Sequence, residues 1–418
     1  MTFPIDAVRA RFPALHAADT GRAFFDAPGG TQVCAPAIAA MTAHLTGGTA
    51  NTGGAFATSR DTGQLAEDAH AAIADLLGAR PDEIAFGANM TTLTFAVAHA
   101  LSRDWGEGDN LVVTRLDHDA NVAPWLAVAA DRGMAVRWLD FDPDDGRLRL
   151  DQLPGLLDAR TRLVAAGGAS NALGTLNDLP AIVAAVRGRS DALVYVDGVQ
   201  SVPHVVTDVA ALGADLLACS PYKFFGPHAG VLWVRADLAA RIDAYKVRPA
   251  GTTGAHRFET GTPSFEALAG TLGTVAYLDW LGGEVDPTAN SRRARLVAAM
   301  RACADYETGL GERLLAGLAA LPGLRLYGPP TMAARVPTFA FTLAGHHPDA
   351  VAAQLAARGI HAWSGHFYAV EAIRRLGLDE AGGLVRVGLC HYSTAAEVDR
   401  LIEALREQVS GSGEQESR

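Results

Sequence analysis

The chain has 418 residues, of which 49% are hydrophobic, so it can form two or three domains with large apolar cores. Its net charge of -11 argues against nucleic acid or an anionic membrane as a partner. No apolar run is long enough to span a membrane, and the N-terminus lacks the features of a signal peptide.

The four cysteines are far apart in sequence and show no metal-ligand spacing. We therefore expect no metal site, reduced thiols and a cytoplasmic location. These cysteines are Cys34, Cys219, Cys303 and Cys390.

Short apolar runs alternate with helical stretches between about residues 65 and 235. This alternation predicts an α/β domain with a mostly parallel sheet. A helix is predicted from Thr92 to Leu101, directly after the first run. The seven predicted strands are residues 83–86, 110–114, 135–139, 162–166, 192–196, 215–219 and 230–234.

The pattern changes after residue 263, where two long helices are predicted at 264–283 and 292–321. Strands at 336–343 and 384–389 and helices at 350–358 and 395–409 follow, which predicts a smaller α+β domain. We expect four parts. These are an N-terminal segment (1–25) packed on the small domain, a large domain (26–279), the small C-terminal domain (280–408), and a polar, disordered tail (409–418).

Lys223 lies between the predicted strand 215–219 and a turn at Gly226 and Pro227. Burying an ammonium group costs free energy unless the group is paired or neutralised. A lysine that loses its charge can form a Schiff base. A lysine that snorkels out of a turn is the alternative.

Polar residues follow the predicted strands at the points where those strands end. Ligands of parallel α/β sheets bind outside the carboxyl ends of the strands, so we expect these side chains to converge on one edge of the sheet. They are Asn89, His118, Asn121, Asn171, Asp197, Gln200, Ser220 and Lys223.

The chemistry of these residues describes a site for pyridoxal phosphate (PLP). Asp197 ends a strand that looks buried, where its carboxylate needs a cation such as a protonated pyridine nitrogen. The helix start at Asn89 offers free N–H groups to a phosphate. The His118 imidazole can stack on a ring, and Asn171 and Gln200 can bind a ring hydroxyl. Taken singly, each residue also fits an ordinary turn or capping role.

Five ordered motifs make the chain resemble the class V aminotransferases among the fold-type I PLP enzymes, on the cysteine desulfurase and selenocysteine lyase branch. The resemblance covers about residues 20–408. It implies an α/β fold with a mostly parallel seven-stranded sheet, a homodimer, and a site at the subunit interface. The motifs are residues 117–125 (DHDANVAPW), 170–175 (SNALGT), 196–204 (VDGVQSVPH), 220–228 (SPYKFFGPH) and 257–263 (RFETGTP).

The resemblance also implies a role for each matching residue. Lys223 would hold PLP as a Schiff base and carry the Cα proton, Asp197 would pair with the ring nitrogen, and His118 would stack on the ring. Substrate carboxylate would bind Asn171 and Arg386, and Arg386 suits that role through its bidentate geometry. The remaining cofactor contacts would be Gln200 at the ring hydroxyl, Ala88, Asn89, Met90 and Ser220 at the phosphate, and Thr262 at the phosphate of a partner subunit.

The chain departs from the desulfurases in the loop that carries their catalytic cysteine. Residues 363–368 read WSGHFY, with Tyr368 at the position of that cysteine. A phenol cannot form a persulfide, but Tyr368 can donate a proton or line the pocket. Tyr222 occupies the position of a family histidine, and residues 51–56 lack the His and Arg seen in desulfurases.

We expect a PLP-dependent lyase that removes the Cα proton of a cysteine-type amino acid and eliminates a sulfur group from Cβ. A desulfurase that uses Cys34 or Cys390 is an alternative, because Cys390 is predicted on the same strand face as Arg386. Free cysteines are, however, most often buried hydrophobes. Transamination, epimerisation and a PLP-binding regulatory protein are the further alternatives.

Overall fold

The computed structural model describes residues 3–16 and 21–413. The helices are α1 (Ile5–Arg9), α2 (Ala35–Thr46), α3 (Ala57–Leu77), α4 (Met90–Leu101), α5 (Ala123–Arg132), α6 (Leu153–Leu156), α7 (Leu179–Arg187), α8 (Val209–Leu212), α9 (Ala236–Arg241), α10 (Phe265–Val285), α11 (Arg292–Ala319), α12 (Pro348–Ala357), α13 (Val370–Leu376) and α14 (Ala395–Gly413). The strands are β1 (Ala23–Phe24), β2 (Ile84–Gly87), β3 (Asn110–Thr114), β4 (Ala135–Leu139), β5 (Thr161–Gly167), β6 (Leu193–Asp197), β7 (Leu216–Cys219), β8 (Gly230–Val234), β9 (Leu324–Tyr327), β10 (Thr338–Leu343), β11 (Ile360–His361), β12 (Trp363–Gly365) and β13 (Leu384–Gly388).

The large domain is built on a seven-stranded sheet with the order β2-β8-β7-β6-β5-β3-β4. Only β8 in this sheet runs antiparallel to its neighbours, so the predicted mostly parallel sheet is confirmed. Alternate residues along a strand point to opposite faces. Val194 and Val196 pack into one apolar core while Tyr195 packs into the other. Both faces are therefore covered, which explains why the strands read as nearly continuous apolar runs.

The small domain contains a four-stranded antiparallel sheet with the order β12-β13-β10-β9. Phe339 and Phe341 of β10 pack in its core with Val385 of β13 and Leu401 of α14. The predicted α+β domain is confirmed. The predicted boundary at residue 280 falls inside α10, whose buried residues on both sides of it, such as Tyr277 and Leu281, pack in the core of the large domain.

The N-terminal segment contacts both domains. Phe3 stacks on Tyr306 of α11, and β1 pairs in parallel with β11. Phe12 also packs against Phe225 of the large domain. The expectation that this segment packs on the small domain therefore describes only part of its contacts.

The prediction that a disordered tail begins at residue 409 is wrong, because α14 continues to Gly413. Extending a helix that is already formed costs much less than starting one, and the hydroxyl of Ser410 donates to the main-chain oxygen of Arg406. The rest of the predicted tail, residues 414–418, lies outside the described residues. Within the described ranges, no helix combines the length and apolar composition that crossing a membrane requires.

Candidate active site

A cleft lies where the carboxyl ends of the parallel strands meet. The loops after β2, β3, β5, β6 and β7 all contribute to it, as expected for a parallel sheet. The structure thus brings together most residues that the sequence placed at strand ends. The lining includes Asn89, Met90, Asp117, His118, Asn171, Asp197, Gln200, Ser220, Tyr222 and Lys223.

Lys223 ends a short 3-10 helix, Pro221–Lys223, directly after β7. Its side chain is buried, and its amine donates to the main-chain oxygen of Pro28. Burial and the charge of Arg386 lower the pKa of Lys223 to about 7. The chain has only one other lysine, Lys246, which is partly exposed and donates to the oxygen of Ala250. Of the amines in the part of the chain that the structure describes, Lys223 is thus the only buried one.

Asp197 ends β6 and lies buried in the cleft, where one carboxyl oxygen accepts from the N–H of Val199 at 2.9 Å. Burial raises the pKa of Asp197 to about 6, against the lowering effect of the Val199 hydrogen bond and the Lys223 charge. A carboxylate buried in this way is stabilised by a cation placed against it.

Asp117 is a second buried carboxyl group of the cleft, to which the sequence assigned no role. It accepts from the side-chain amide of Asn121 at 2.7 Å and from the N–H of Gly167 at 3.0 Å. Burial and the negative charge of Asp197 raise the pKa of Asp117 to about 7. Its position directly before His118 in the first motif was the signal that could have found it.

The start of α4 forms the part of the cleft predicted to hold a phosphate. Asn89 caps the helix by accepting from the N–H of Thr92 at 2.9 Å. The N–H of Met90 donates to the hydroxyl of Ser220 at 3.2 Å, so these two groups lie side by side. Ala88 of the predicted phosphate site is exposed and lines a neighbouring pocket. The same pocket contains the exposed Thr262, which was predicted to contact the phosphate of a partner subunit.

His118 and Gln200 border the space in which a flat ring would lie. The Nδ1 atom of His118 accepts from the N–H of Ala120 at 3.0 Å. Burial lowers the pKa of His118 to about 4, with the charge of Lys223 acting in the same direction. The imidazole is therefore neutral at pH 7. Gln200 donates to the hydroxyl of Thr338 at 3.0 Å, while its buried Oε1 accepts no hydrogen bond from the described residues.

Arg386 and Asn171 meet on the substrate side of the cleft, where the two domains touch. Arg386 lies on β13, and burial lowers its pKa to about 9. Its guanidinium lies 4.2 Å from the ring centroid of Phe367. Asn171 donates to the main-chain oxygen of Phe367 at 2.8 Å. Among the described residues, the Nε of Arg386 and the Oδ1 of Asn171 have no hydrogen-bond partner, although both are buried.

Tyr368 lies at the mouth of the cleft and is 66% exposed. Its ring is stacked against His118, with centroids 5.5 Å apart and planes at 24°. Phe367 and Tyr368 both adopt positive φ angles, 54° and 59°, and such a pair of non-glycine residues is uncommon. The N–H of Asp119 donates to the oxygen of Tyr368 at 2.7 Å and holds this turn against the large domain.

No cysteine of the chain lines the cleft. All four are buried, and burial raises the pKa of Cys34 to about 11 and of Cys390 well above its usual value. The argument that placed Cys390 on the strand face of Arg386 is wrong, because β13 ends at Gly388. Cys390 instead packs in the apolar core with Tyr392.

Residues 23–401 match the family model of the class-V aminotransferases. The chain belongs to this family. An aminotransferase-like protein of Gibberella zeae, FGM3, is 34% identical over 97% of this chain and 98% of its own length. A cysteine desulfurase of Dickeya dadantii is 35% identical over 96% of both chains. The solved cysteine desulfurase of Thermococcus onnurineus superimposes with a TM-score of 0.87 at 25% identity, covering 98% of this chain and 99% of its own.

As a member of this family, the protein is a cysteine desulfurase-like, PLP-dependent enzyme. The groups of the cleft fit PLP. A buried carboxyl group needs a cation, two buried amide oxygens lack donors from the described residues, and a capped helix start offers N–H groups. The one buried lysine has its pKa lowered toward neutrality.

Proposed function

We propose that the protein is a lyase that cleaves the Cβ–S bond of an S-substituted cysteine by Cα deprotonation and β-elimination. The observation that carries this proposal is a buried Lys223 in a cleft that contains no thiol, since all four cysteines lie elsewhere. A desulfurase needs a thiolate as sulfur acceptor. Elimination requires only a base at Cα and an acid for the leaving group.

The cofactor contacts follow from the positions of the groups around the cleft. Bound PLP supplies an electron sink for the bond that breaks at Cα. In our proposal Lys223 binds its aldehyde, Asp197 pairs with its ring nitrogen, His118 stacks on the ring, and Gln200 accepts from the ring hydroxyl. The phosphate is bound by the main chain around Ala88, Asn89 and Met90 and by the hydroxyl of Ser220.

The chain's own residues then bind substrate and move two protons. Arg386 and Asn171 hold the substrate carboxylate. The buried Nε of Arg386 has no acceptor among the described residues, and the side-chain NH2 of Asn171 has a second hydrogen to donate besides the one given to Phe367. Lys223, with a pKa of about 7, takes the Cα proton as a neutral amine. Tyr368 donates a proton to the departing sulfur. In sum, R–S–CH2–CH(NH3+)–COO− and water give R–SH, pyruvate and ammonium.

We also propose that the enzyme is a cytoplasmic homodimer. Thr262 is exposed outside the cleft of its own chain, as expected if it contacts the phosphate of a partner subunit. The four free, buried thiols suit a reducing compartment. Analytical ultracentrifugation of the parent enzyme and Thr262→Ala, with the PLP content of each sample measured, tests whether the enzyme is a homodimer.

Product analysis decides between elimination and desulfuration. We expect pyruvate and no alanine from S-substituted cysteines, and no turnover by Lys223→Ala. Tyr368→Phe should lower kcat about 10- to 100-fold at nearly constant KM, because it removes an acid from the transition state and leaves the ring in place. Alanine as the product would replace this proposal with desulfuration, and an unchanged kcat for Tyr368→Phe would remove Tyr368 from the proton path.

A further inference from the structure

Gly29 makes room for the indole ring of Trp363 beside Lys223, and its neighbour Gly30 faces the ring of Tyr222 at ordinary contact distance. A Cβ atom at Gly29 would lie 2.6 Å from the indole Nε1 of Trp363, and one at Gly30 would lie 3.4 Å from the ring of Tyr222. A contact of 2.6 Å would force Trp363 to move, since real Cβ atoms essentially never come so close. The indole ring can therefore lie here only because residue 29 is glycine.

Trp363 and Tyr222 belong to a larger aromatic surface, which we call the aromatic wall: Tyr222, Trp363, Phe367 and Tyr368. The wall lines a second cleft of about 410 Å³, which also contains His118, Asn171, Lys223 and Arg386. It therefore continues from the residues assigned to the cofactor and the substrate carboxylate into the region that a substrate side chain would enter.

The wall presents four large rings, more apolar surface than the thiol of cysteine could cover. Trp363 is 53% exposed and Tyr368 66% exposed, and large aromatic rings grouped at one cleft mark a binding surface. Arg386 is the one lysine or arginine of this lining that stays fully charged at pH 7, since the pKa of Lys223 is lowered to about 7. Phe367 covers the guanidinium of Arg386. A thiol would fill a small part of such a cleft, since drug-sized ligands occupy pockets of roughly 300–1,000 Å³.

We propose that the substrate carries a planar, apolar group beyond Cβ, and that the aromatic wall binds this group. The inference rests on the proposed lyase function and names its substrate class, the S-aryl and S-benzyl cysteines. Carboxylate binding at Arg386 fixes one end of such a molecule, and ring contacts with Trp363 and Tyr368 fix the other. The elimination then releases an apolar thiol from the open mouth of the cleft.

Binding and turnover are measured separately to test this inference. L-Homophenylalanine matches S-phenylcysteine in shape, and L-norvaline matches S-methylcysteine, but both carry a carbon in place of the sulfur leaving group. We expect calorimetry on the holoenzyme to give a dissociation constant about 10- to 100-fold lower for homophenylalanine than for norvaline, from burial of the ring. We expect kcat/KM for S-phenylcysteine to exceed that for S-methylcysteine by a similar factor.

Three variants locate the effect. Trp363→Ala removes the indole, Gly29→Ala displaces it, and both should bring the affinity ratio to about threefold or less. Tyr245→Ala removes a ring that is 58% exposed outside this cleft, and it should leave the ratio unchanged. Gel filtration of each variant shows whether the ring contributes instead to contact between two copies of the chain.

The outcomes separate the two proposals. Equal affinity for homophenylalanine and norvaline, or a Trp363→Ala enzyme that changes oligomeric state but keeps the parent ratio, overturns the inference. Pyruvate from S-methylcysteine in that case leaves the lyase function standing. Tight binding of homophenylalanine without pyruvate from either cysteine derivative contradicts the lyase function. It still supports the aromatic wall as the site that binds the substrate's side chain.

Discussion

Arg386 donates from its Nη1 to the main-chain oxygen of Asn171 at 2.8 Å. This hydrogen bond joins β13 of the small domain to the turn that follows β5 in the large domain. Burial lowers the pKa of Arg386 to about 9, while the charge of Asp26 acts in the opposite direction, so the guanidinium remains charged at pH 7. Its buried Nε has no acceptor among the described residues and is thus available to a ligand.

Arg386→Lys tests whether this guanidinium binds the substrate carboxylate. Lysine keeps the charge but loses the fork of parallel donors, and charge-assisted hydrogen bonds contribute about 1.5–3 kcal/mol. Steady-state kinetics should show KM raised about 10- to 100-fold with a smaller change in kcat. Arg313→Lys, which alters an exposed ion pair with Asp399, is the matched control. Equal effects of the two substitutions would contradict the assignment.

The presence of only two lysines makes the covalent attachment of PLP easy to locate. Reduction of the holoenzyme with borohydride should fix the cofactor on the peptide that contains Lys223. Lys223→Ala should lose the visible absorbance of lysine-bound PLP, whereas Lys246→Ala should keep it. Label on the Lys246 peptide of the native enzyme would show that the attachment site is wrong.

The buried carboxyl group of Asp197 predicts how the stability of the PLP-free enzyme depends on pH. Its pKa is raised to about 6, so the folded state binds a proton that the unfolded state releases near pH 4. This contribution to stability is present at low pH and is lost as pH rises through 6. The shift of about two units corresponds to about 3 kcal/mol.

Urea unfolding of the PLP-free enzyme at pH 4 to 7 checks this sign. Relative to Asp197→Asn, the parent enzyme should lose about 3 kcal/mol of unfolding free energy over this range. The exposed Asp151→Asn is the control and should run parallel to the parent. A parent enzyme that instead gains stability relative to Asp197→Asn would show that the carboxylate already has a cationic partner without PLP.

Local sequence patterns predicted the strands of the sheet and the residues of the site to different extents. The runs 110–114 and 230–234 are strands with the predicted bounds. Their sequences alone predict them, because a strand buried on both faces is apolar at nearly every position. The prediction that polar residues converge needed only one further rule, the parallel direction of the strands. For this reason Asp197, Ser220 and Lys223 could be placed together before the structure was known.

Contacts between distant parts of the chain could not be predicted in this way. Asn171 donates to Phe367 across 196 positions, and the stacking of Tyr368 on His118 depends on two positive φ angles that no local pattern announces. The alternation argument failed for Cys390 because it assumed that the strand continued past Gly388. Such contacts depend on how the domains pack. The periodicity of apolar residues in strands and helices does not predict that packing.

Gly230→Ala tests whether the start of α4 holds the phosphate, without replacing any residue assigned to PLP. Gly230 begins β8, and an added Cβ would lie 2.4 Å from the main-chain carbon of Asn89 and 2.6 Å from its oxygen. Main-chain atoms cannot swing aside as a flexible side chain does, so the segments around Asn89 and Gly230 must move apart. We expect PLP affinity, measured by titrating the PLP-free protein, to fall about tenfold, and unfolding free energy to fall by about 1–3 kcal/mol.

The same substitution at Gly309 separates crowding of the cradle from a general effect of glycine replacement. Gly309 lies within α11, and a Cβ there would meet nothing within 4 Å. Gly309→Ala should therefore stabilise the protein by about 0.5–1 kcal/mol, since alanine favours the helix, and leave PLP affinity unchanged. If Gly230→Ala loses stability but keeps the parent affinity for PLP, the phosphate is held elsewhere, because the segment that the new methyl group displaces is the proposed cradle itself.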